Sequence, residues 1–144
     1  YLGIYLILIC LVNIRSNMKY SYDKEVAAKW GNSNQYIEYT NKTKNYSQNE
    51  FLVIIDGLNT IFKKFSVNLN LKLEPNSLST LELVEELKDY ITKYFYNCTN
   101  KILLNLGLMY VSDERFINNI DKNGEGTANY IKEAIVYYCE EKNE

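Results

Sequence analysis

Apolar residues recur at the spacing of an amphipathic α-helix along three long segments of this chain. Residues 48–66, 80–97 and 126–142 each place apolar side chains at i, i+3, i+4 and i+7. The stripes are Phe51, Ile54, Ile55, Leu58, Ile61, Phe62 and Phe65, then Leu83, Val84, Leu87, Ile91, Tyr94 and Phe95, and finally Ile131, Ala134, Ile135 and Tyr138. No strand-like alternation of any length competes, so the pattern from Tyr20 onward predicts an all-α domain.

Helix-start signals precede these stripes. Two capping boxes, each with a hydrophobic staple around it, are predicted to begin the first two helices. They consist of Ser47 and Glu50 within Tyr46 and Phe51, and of Ser79 and Glu82 within Leu78 and Leu83. The loop KLEPNS at 72–77 and the turn KNGEG at 122–126 are predicted to separate neighbouring helices.

The acidic stretch SDER at 112–115 has two interpretations, a helix start or a catalytic site. Ser112 is a suitable N-cap, and Asp113 and Glu114 then fall in the first turn, where the helix dipole favours anions. Val111 and Phe116 take the staple positions, which leaves Arg115 without a role. Adjacent carboxylates on one helical turn point in different directions, so the helix start is the favoured interpretation.

The segment TNKILLNLGLMY at 99–110 is apolar around most of its circumference, which predicts a helix buried on most sides. Gly107 inside it is predicted to permit close approach of another helix or a ligand. Asn105 is either a hydrogen-bonded core amide or a polar group in a ligand cleft. Cys98 is a small buried hydrophobe or, if Asn97 caps a helix there, a first-turn thiol with a lowered pKa.

The first residues differ from the rest. YLGIYLILICLVNI is apolar but shorter than the roughly 20 residues of a membrane-spanning helix. It is similar to the apolar region of a signal peptide without the basic segment, and an apolar helix docked on the domain is the alternative. Met18 is a candidate start of a compact protein. We therefore predict a segment of separate status at 1–19 and one domain at 20–144.

Composition narrows the possible functions. The net charge is −2, histidine is absent and the three cysteines lie far apart. A clustered positive field for nucleic acid, Ser-His or Cys-His nucleophiles, and a CxxC metal pair are therefore missing from the sequence. We predict no metal, no cofactor, no direct nucleic-acid binding, no membrane span and a reducing, cytoplasmic location. An enzyme would need a carboxylate-only site drawn from Asp113, Glu114 and Asp121, so we predict a non-enzymatic protein.

Several of these segments together resemble the TipAS-type antibiotic-recognition domain, the effector-binding half of a group of MerR-family transcription regulators. The matching stretches are EVAAKWGNSNQY at 25–36, YNC at 96–98, GLMYVSDERFINNID at 107–121 and, more loosely, AIVYY at 134–138. The resemblance runs from about Tyr20 to about Tyr138. It implies a globin-like, all-α domain with a mobile N-terminal helical lid and a cleft for bulky, largely apolar antibiotics such as thiopeptides.

The resemblance also carries site residues and one departure from the family. Members that trap thiopeptides carry a cysteine two residues before the glycine of the GLMY-like segment, and Asn105 stands at that position here. An amide is not a nucleophile, so the expected binding is reversible. The expected ligand-binding residues are Trp30, Tyr36, Phe62, Tyr94, Tyr96, Cys98, Asn105, Met109 and Tyr110.

Three questions stay open at this point. The chain is either the sensor of a regulator whose DNA-binding domain lies upstream or a stand-alone protein that sequesters the drug. The alternative is a structural, partner-binding protein or a regulator fragment that has lost its ligand. Either a monomer or a dimer is compatible with the sequence.

Overall fold

The structure, a computed structural model, describes residues 34–142. Within that range the chain forms α-helices and no strand, as the sequence predicts. The helices are α1 (Asn34–Thr43), α2 (Gln48–Asn70), α3 (Leu78–Tyr94), α4 (Asn100–Tyr110), α5 (Glu114–Asp121) and α6 (Thr127–Lys142). The predictions for the segment 1–19, for Met18 and for Trp30 lie outside the described residues.

The core lies around α6, which contacts α2, α3, α4 and α5. Most of the predicted stripes face it. The buried members are Ile54, Ile55, Leu58, Ile61, Phe62 and Phe65 on α2, Val84, Leu87 and Ile91 on α3, Phe95 just after α3, and Ile131, Ala134, Ile135 and Tyr138 on α6. Phe51, Leu83 and Tyr94 are only half-buried and pack at its margin. The helical period therefore predicted the core-facing side of each long helix.

α2 continues past the predicted end of its stripe because buried polar side chains extend the core-facing side. The Ser66 hydroxyl donates to the Asn123 carbonyl at 2.6 Å, and the Asn68 amide donates to the Thr80 hydroxyl at 3.1 Å. The Thr80 hydroxyl also shares a hydrogen bond of 2.8 Å with the Tyr130 hydroxyl. Since each buried polar group has a partner, the last turn of α2 is stable despite its polar positions.

The first predicted helix start is confirmed, and the second is wrong. Ser47 caps α2 by accepting from the Glu50 backbone N–H at 3.1 Å. On α3 the N-cap is Ser77 rather than Ser79, and its side chain accepts from the Thr80 backbone N–H. A start at Ser77 places Thr80 in the first turn, where its hydroxyl reaches the buried partners on α2 and α6. Leu78 is exposed, so the predicted staple does not form.

The start of α5 lies one residue later than predicted. Asp113, not Ser112, is the N-cap, and its carboxylate accepts from the Arg115 backbone N–H at 2.8 Å. The Ser112 hydroxyl instead donates back to the Met109 carbonyl at the end of α4. Arg115, which the sequence left without a role, pairs with the Asp113 carboxylate at 2.8 Å. The acidic stretch is thus a helix start that its own arginine reinforces.

Candidate functional site

The middle of α4 lies directly against α6. A Cβ on Gly107 would come within 3.2 Å of three carbons of the Ile135 side chain. Leu103, Leu106 and Tyr110 occupy the same buried side of α4. This close approach confirms the predicted role of Gly107, with another helix as the neighbour. It also fixes which side of α4 remains available to other molecules.

The opposite side of α4 is apolar yet open, which corrects the expectation of a helix buried on most sides. Ile102, Asn105, Leu108 and Met109 share it at helical spacing, and we call these four residues the outward α4 face. Leu108 is 47% exposed and the other three are half-buried. Among the described residues, no side chain or backbone group hydrogen-bonds the Asn105 amide. The face therefore offers apolar surface with one available amide at its centre.

Four of the predicted binding residues lie inside the core. Phe62, Tyr96, Cys98 and Tyr110 are fully buried or nearly so. The Phe62 and Tyr110 rings meet edge to face with centroids 5.8 Å apart, and the Phe116 ring lies 6.2 Å from the Tyr110 ring. Burial strongly raises the pKa of the Tyr110 hydroxyl. These side chains support the outward α4 face from behind.

The surroundings of Cys98 contradict a reactive first-turn thiol. Thr99, not Asn97, caps α4 by accepting from the Ile102 backbone N–H at 3.2 Å, so Cys98 precedes the helix. Cys98 is 1% exposed, and burial raises the pKa of its thiol to about 12, although the Lys88 ammonium lowers it. Because only the thiolate is a good nucleophile, this cysteine is inert at neutral pH. The small buried hydrophobe is the correct interpretation.

Tyr94 lies in a second aromatic group where α1 meets the end of α3. Its ring is tilted against the Tyr90 ring at 4.7 Å, and the Tyr46 hydroxyl donates to the Tyr94 carbonyl at 3.0 Å. Burial raises the pKa of Tyr90 to about 12, and its hydroxyl donates to the Ile54 carbonyl at 2.6 Å. Tyr36 lies on α1, but its side chain is outside the described residues.

Helix α1 is held mainly by contacts to the segment that joins α3 to α4. The Glu38 carboxylate accepts from the Asn97 backbone N–H at 2.8 Å, and the Lys42 ammonium donates to the Thr92 carbonyl. The Tyr39 ring stacks on the Phe95 ring with centroids 6.2 Å apart. The same segment carries Tyr96 and Cys98 and leads into α4. Through it, α1 is linked to the part of the chain that supports the outward α4 face.

The carboxylates considered for a catalytic site have structural partners instead. Asp113 caps α5, and a side-chain hydrogen bond from Arg115 holds its pKa below the usual range. The two Asp121 oxygens accept from the backbone N–H groups of Gly126 and Ala128, at 3.1 and 2.8 Å. In the part of the chain that the structure describes, no three His, Cys, Asp or Glu side chains gather where a metal ion could bind.

Ile102 and Leu108 are the contributors to the outward α4 face that sequence reasoning missed. The apolar residues of α4 surround the helix, so the pattern gave no preferred side and both residues were assigned to the core. The available signal was their spacing from Asn105, since i−3 and i+3 place both beside the one polar group. None of the helices between residues 34 and 142 is both long and apolar enough to span a membrane.

Comparison with known proteins gives the same family along most of the chain. The TipAS antibiotic-recognition domain matches residues 22–138. The HTH-type transcriptional activator mta of Bacillus subtilis is 32% identical over 121 residues, which are 83% of this chain and 46% of that protein. The HTH-type transcriptional activator TipA of Streptomyces coelicolor is 31% identical over 115 residues, 80% of this chain and 46% of that protein. The chain thus spans less than half the length of these relatives.

A solved structure has the same fold. It is TipAS of a thiopeptide antibiotic multidrug resistance system from Streptomyces lividans, in complex with nosiheptide. The TM-score is 0.80 at 28% identity, and the match covers 90% of each chain. With the family match over residues 22–138, this establishes that the chain belongs to the TipAS antibiotic-recognition domain family.

Proposed function

We propose that this chain binds bulky, largely apolar antibiotics of the thiopeptide type against the outward α4 face. The observation that carries the proposal is the available amide of Asn105 between Ile102, Leu108 and Met109 on an otherwise apolar surface. Sites for such ligands combine apolar walls with few polar groups that fix orientation. The related TipAS is known in complex with nosiheptide, which supports the same ligand class here.

Binding is reversible in this proposal because no nucleophile lies on the outward α4 face. Asn105 carries an amide, and Cys98 and Cys139 are buried, with burial raising the pKa of both thiols. The remaining predicted binding residues act in two ways. Tyr94, Met109, Trp30 and Tyr36 would touch the ligand, whereas Phe62, Tyr96 and Tyr110 would shape the surface from below.

The wider role is that of an effector sensor. Two relatives are named HTH-type transcriptional activators, and this chain matches 46% of the length of each. We propose that the ligand-bound domain passes its signal to a DNA-binding region in the same polypeptide, in the cytoplasm. Its own residues bind the drug and catalyse no reaction on it. A drug-sequestering role uses the same site without that transfer.

The test is calorimetry and intact-mass analysis of the chain with nosiheptide, beside the variants Asn105→Leu and Asn105→Cys. We expect binding by the parent chain with no mass adduct after denaturation, and a covalent adduct with Asn105→Cys. A ligand at 100 times its dissociation constant stabilises the fold by about 2.7 kcal/mol, which gives an independent thermal readout. No heat and no thermal shift with several thiopeptides would refute the proposal.

A control variant separates the site from the rest of the surface. Tyr137 is exposed on α6, and Tyr137→Ala should leave the affinity unchanged. Met109→Ala on the outward α4 face should weaken binding about tenfold, since burying a methionine side chain contributes about 1.5–3 kcal/mol. If both variants bind as the parent chain does, the ligand does not use this face.

A further inference from the structure

Three apolar side chains stand exposed at the tip of the α2–α3 hairpin. Val67 is 51%, Leu71 65% and Leu78 75% exposed, so they include the most exposed apolar residue on these two helices. The Asn68 amide donates to the Ser79 hydroxyl at 3.2 Å, which places the end of α2 beside the start of α3. The three side chains therefore form one apolar patch, whereas isolated exposed apolar residues are common on any surface.

The charges along the outer side of both helices are ordered about this patch. On α2, Lys63 lies about two helical turns before Leu71, and Asp56 lies about four turns before it. On α3, Glu86 lies about two turns after Leu78, and Lys93 lies about four turns after it. At about 1.5 Å per residue, the two series have equal spacing, roughly 12 and 22 Å from the apolar tip.

The two series also have opposite signs at each level. Lys63 on α2 corresponds to Glu86 on α3, and Asp56 on α2 corresponds to Lys93 on α3, all four being exposed. The ion pair between Lys64 and Glu86, 2.8 Å long, shows that these levels lie side by side within one chain. A surface with this pattern is complementary to itself when rotated by a two-fold axis parallel to the helices.

We infer that the outer side of the α2–α3 hairpin is a dimer interface that binds a second copy of this chain. α2 of each copy lies on α3 of the other, with Leu71 against Leu78 of the second copy at the tip. The charges then meet partners of opposite sign along the rest of the interface, which fixes the orientation. The surface is separate from the outward α4 face, so ligand binding is not required for association.

The interface is modest, because its apolar part consists of three side chains. Stable complexes bury roughly 1,200–2,000 Å² in total, and smaller interfaces belong to weak or transient contacts. The second copy would therefore dissociate readily and associate at high local concentration. Two domains held near each other by other parts of longer polypeptides meet that condition through effective concentration.

The test is sedimentation velocity of the full 144-residue chain at low salt, from about 10 µM to about 1 mM, the range expected of a small interface. The sedimentation coefficient should rise with concentration for the parent chain. The rise should disappear for Leu71→Asp and for Leu78→Asp. Tyr137→Asp, at a 42% exposed position on α6, is the matched control and should associate as the parent chain does. Circular dichroism confirms that each variant is folded.

A mixing experiment tests the orientation. Asp56→Lys places like charges at both outer contacts of its own homodimer, and so does Lys93→Glu. Each variant alone should remain monomeric, whereas an equimolar mixture should dimerise because every outer contact again joins opposite charges. Added salt should weaken the mixed dimer, since exposed charge pairs are screened. A parent chain that stays monomeric throughout, association that survives both leucine substitutions, or a mixture that stays monomeric overturns the inference.

Discussion

Gly107 shows how one missing side chain sets the distance between two helices. Alanine is more favourable than glycine inside a helix by about 1 kcal/mol, so Gly107→Ala would stabilise an isolated α4. In the folded chain the new Cβ would lie 3.2 Å from carbons of Ile135, which is fully buried on α6. A tightly packed neighbour cannot move without cost, and we expect Gly107→Ala to lower the free energy of unfolding by about 1–2 kcal/mol in urea denaturation.

Ile135→Val supplies the control for this prediction, because it removes the Cδ1 atom that the new methyl group would meet. Alone it should cost about 0.5–1.5 kcal/mol. Combined with Gly107→Ala it should cost less than the sum of the two single changes, since the variants share one contact. A single Gly107→Ala that raises the stability would mean that α4 and α6 can separate without loss of packing.

At the same scale, the sequence predicted identities better than environments. The close approach at Gly107 followed from its place in an apolar helix. The burial of Tyr96 and Cys98 did not follow, because both residues precede α4 and have no helical period to orient them. The interpretation of Asn105 depended on which side of α4 faces α6, and an apolar pattern on all sides leaves that undecided.

Helix ends are the elements that the sequence located least well. Ser77 and Ser79 are both good caps, and the choice between them depends on Thr80, whose hydroxyl must reach Asn68 and Tyr130. Ser112 and Asp113 compete in the same way, and the outcome depends on Arg115. Local propensity names the candidates within a residue or two, and tertiary contacts select one of them.

The start of α6 depends on the last residue of α5. Asp121 accepts hydrogen bonds from Gly126 and Ala128, two of the backbone N–H groups that lack partners within the helix. Gly126 has a φ of +85°, a conformation that favours glycine and brings the turn back to the carboxylate. We expect Asp121→Ala to lower the free energy of unfolding by about 1–2 kcal/mol in chemical denaturation.

Two comparisons make this prediction specific to the cap. Asp121→Asn retains a carbonyl acceptor and should lose less than Asp121→Ala does. Glu125→Ala, at an exposed position in the same turn, should change the stability by under about 0.5 kcal/mol. Equal losses for Asp121→Ala and Glu125→Ala would show that the start of α6 is stabilised by its packing rather than by the Asp121 carboxylate.

On the scale of the whole molecule, α1 differs from every other described helix in how it is attached. Its described contacts are the hydrogen bonds of Glu38 and Lys42 and the stacked Tyr39 ring, all to the segment between α3 and α4. None of its described side chains is fully buried, whereas α2, α3, α4 and α6 share one core. Segments with few buried apolar contacts open at a lower free energy than the whole protein.

We therefore expect hydrogen exchange measured by mass spectrometry to show the lowest protection in α1 and the highest in α2 and α6. Low denaturant should leave exchange in α1 nearly unchanged, because local opening exposes little surface. A saturating thiopeptide should raise the protection of α1 if the ligand on the outward α4 face also fixes the Thr92–Asn97 segment that α1 grips. Protection of α1 equal to that of α6 without ligand would place α1 in the cooperative core and remove this route for a ligand to change the domain.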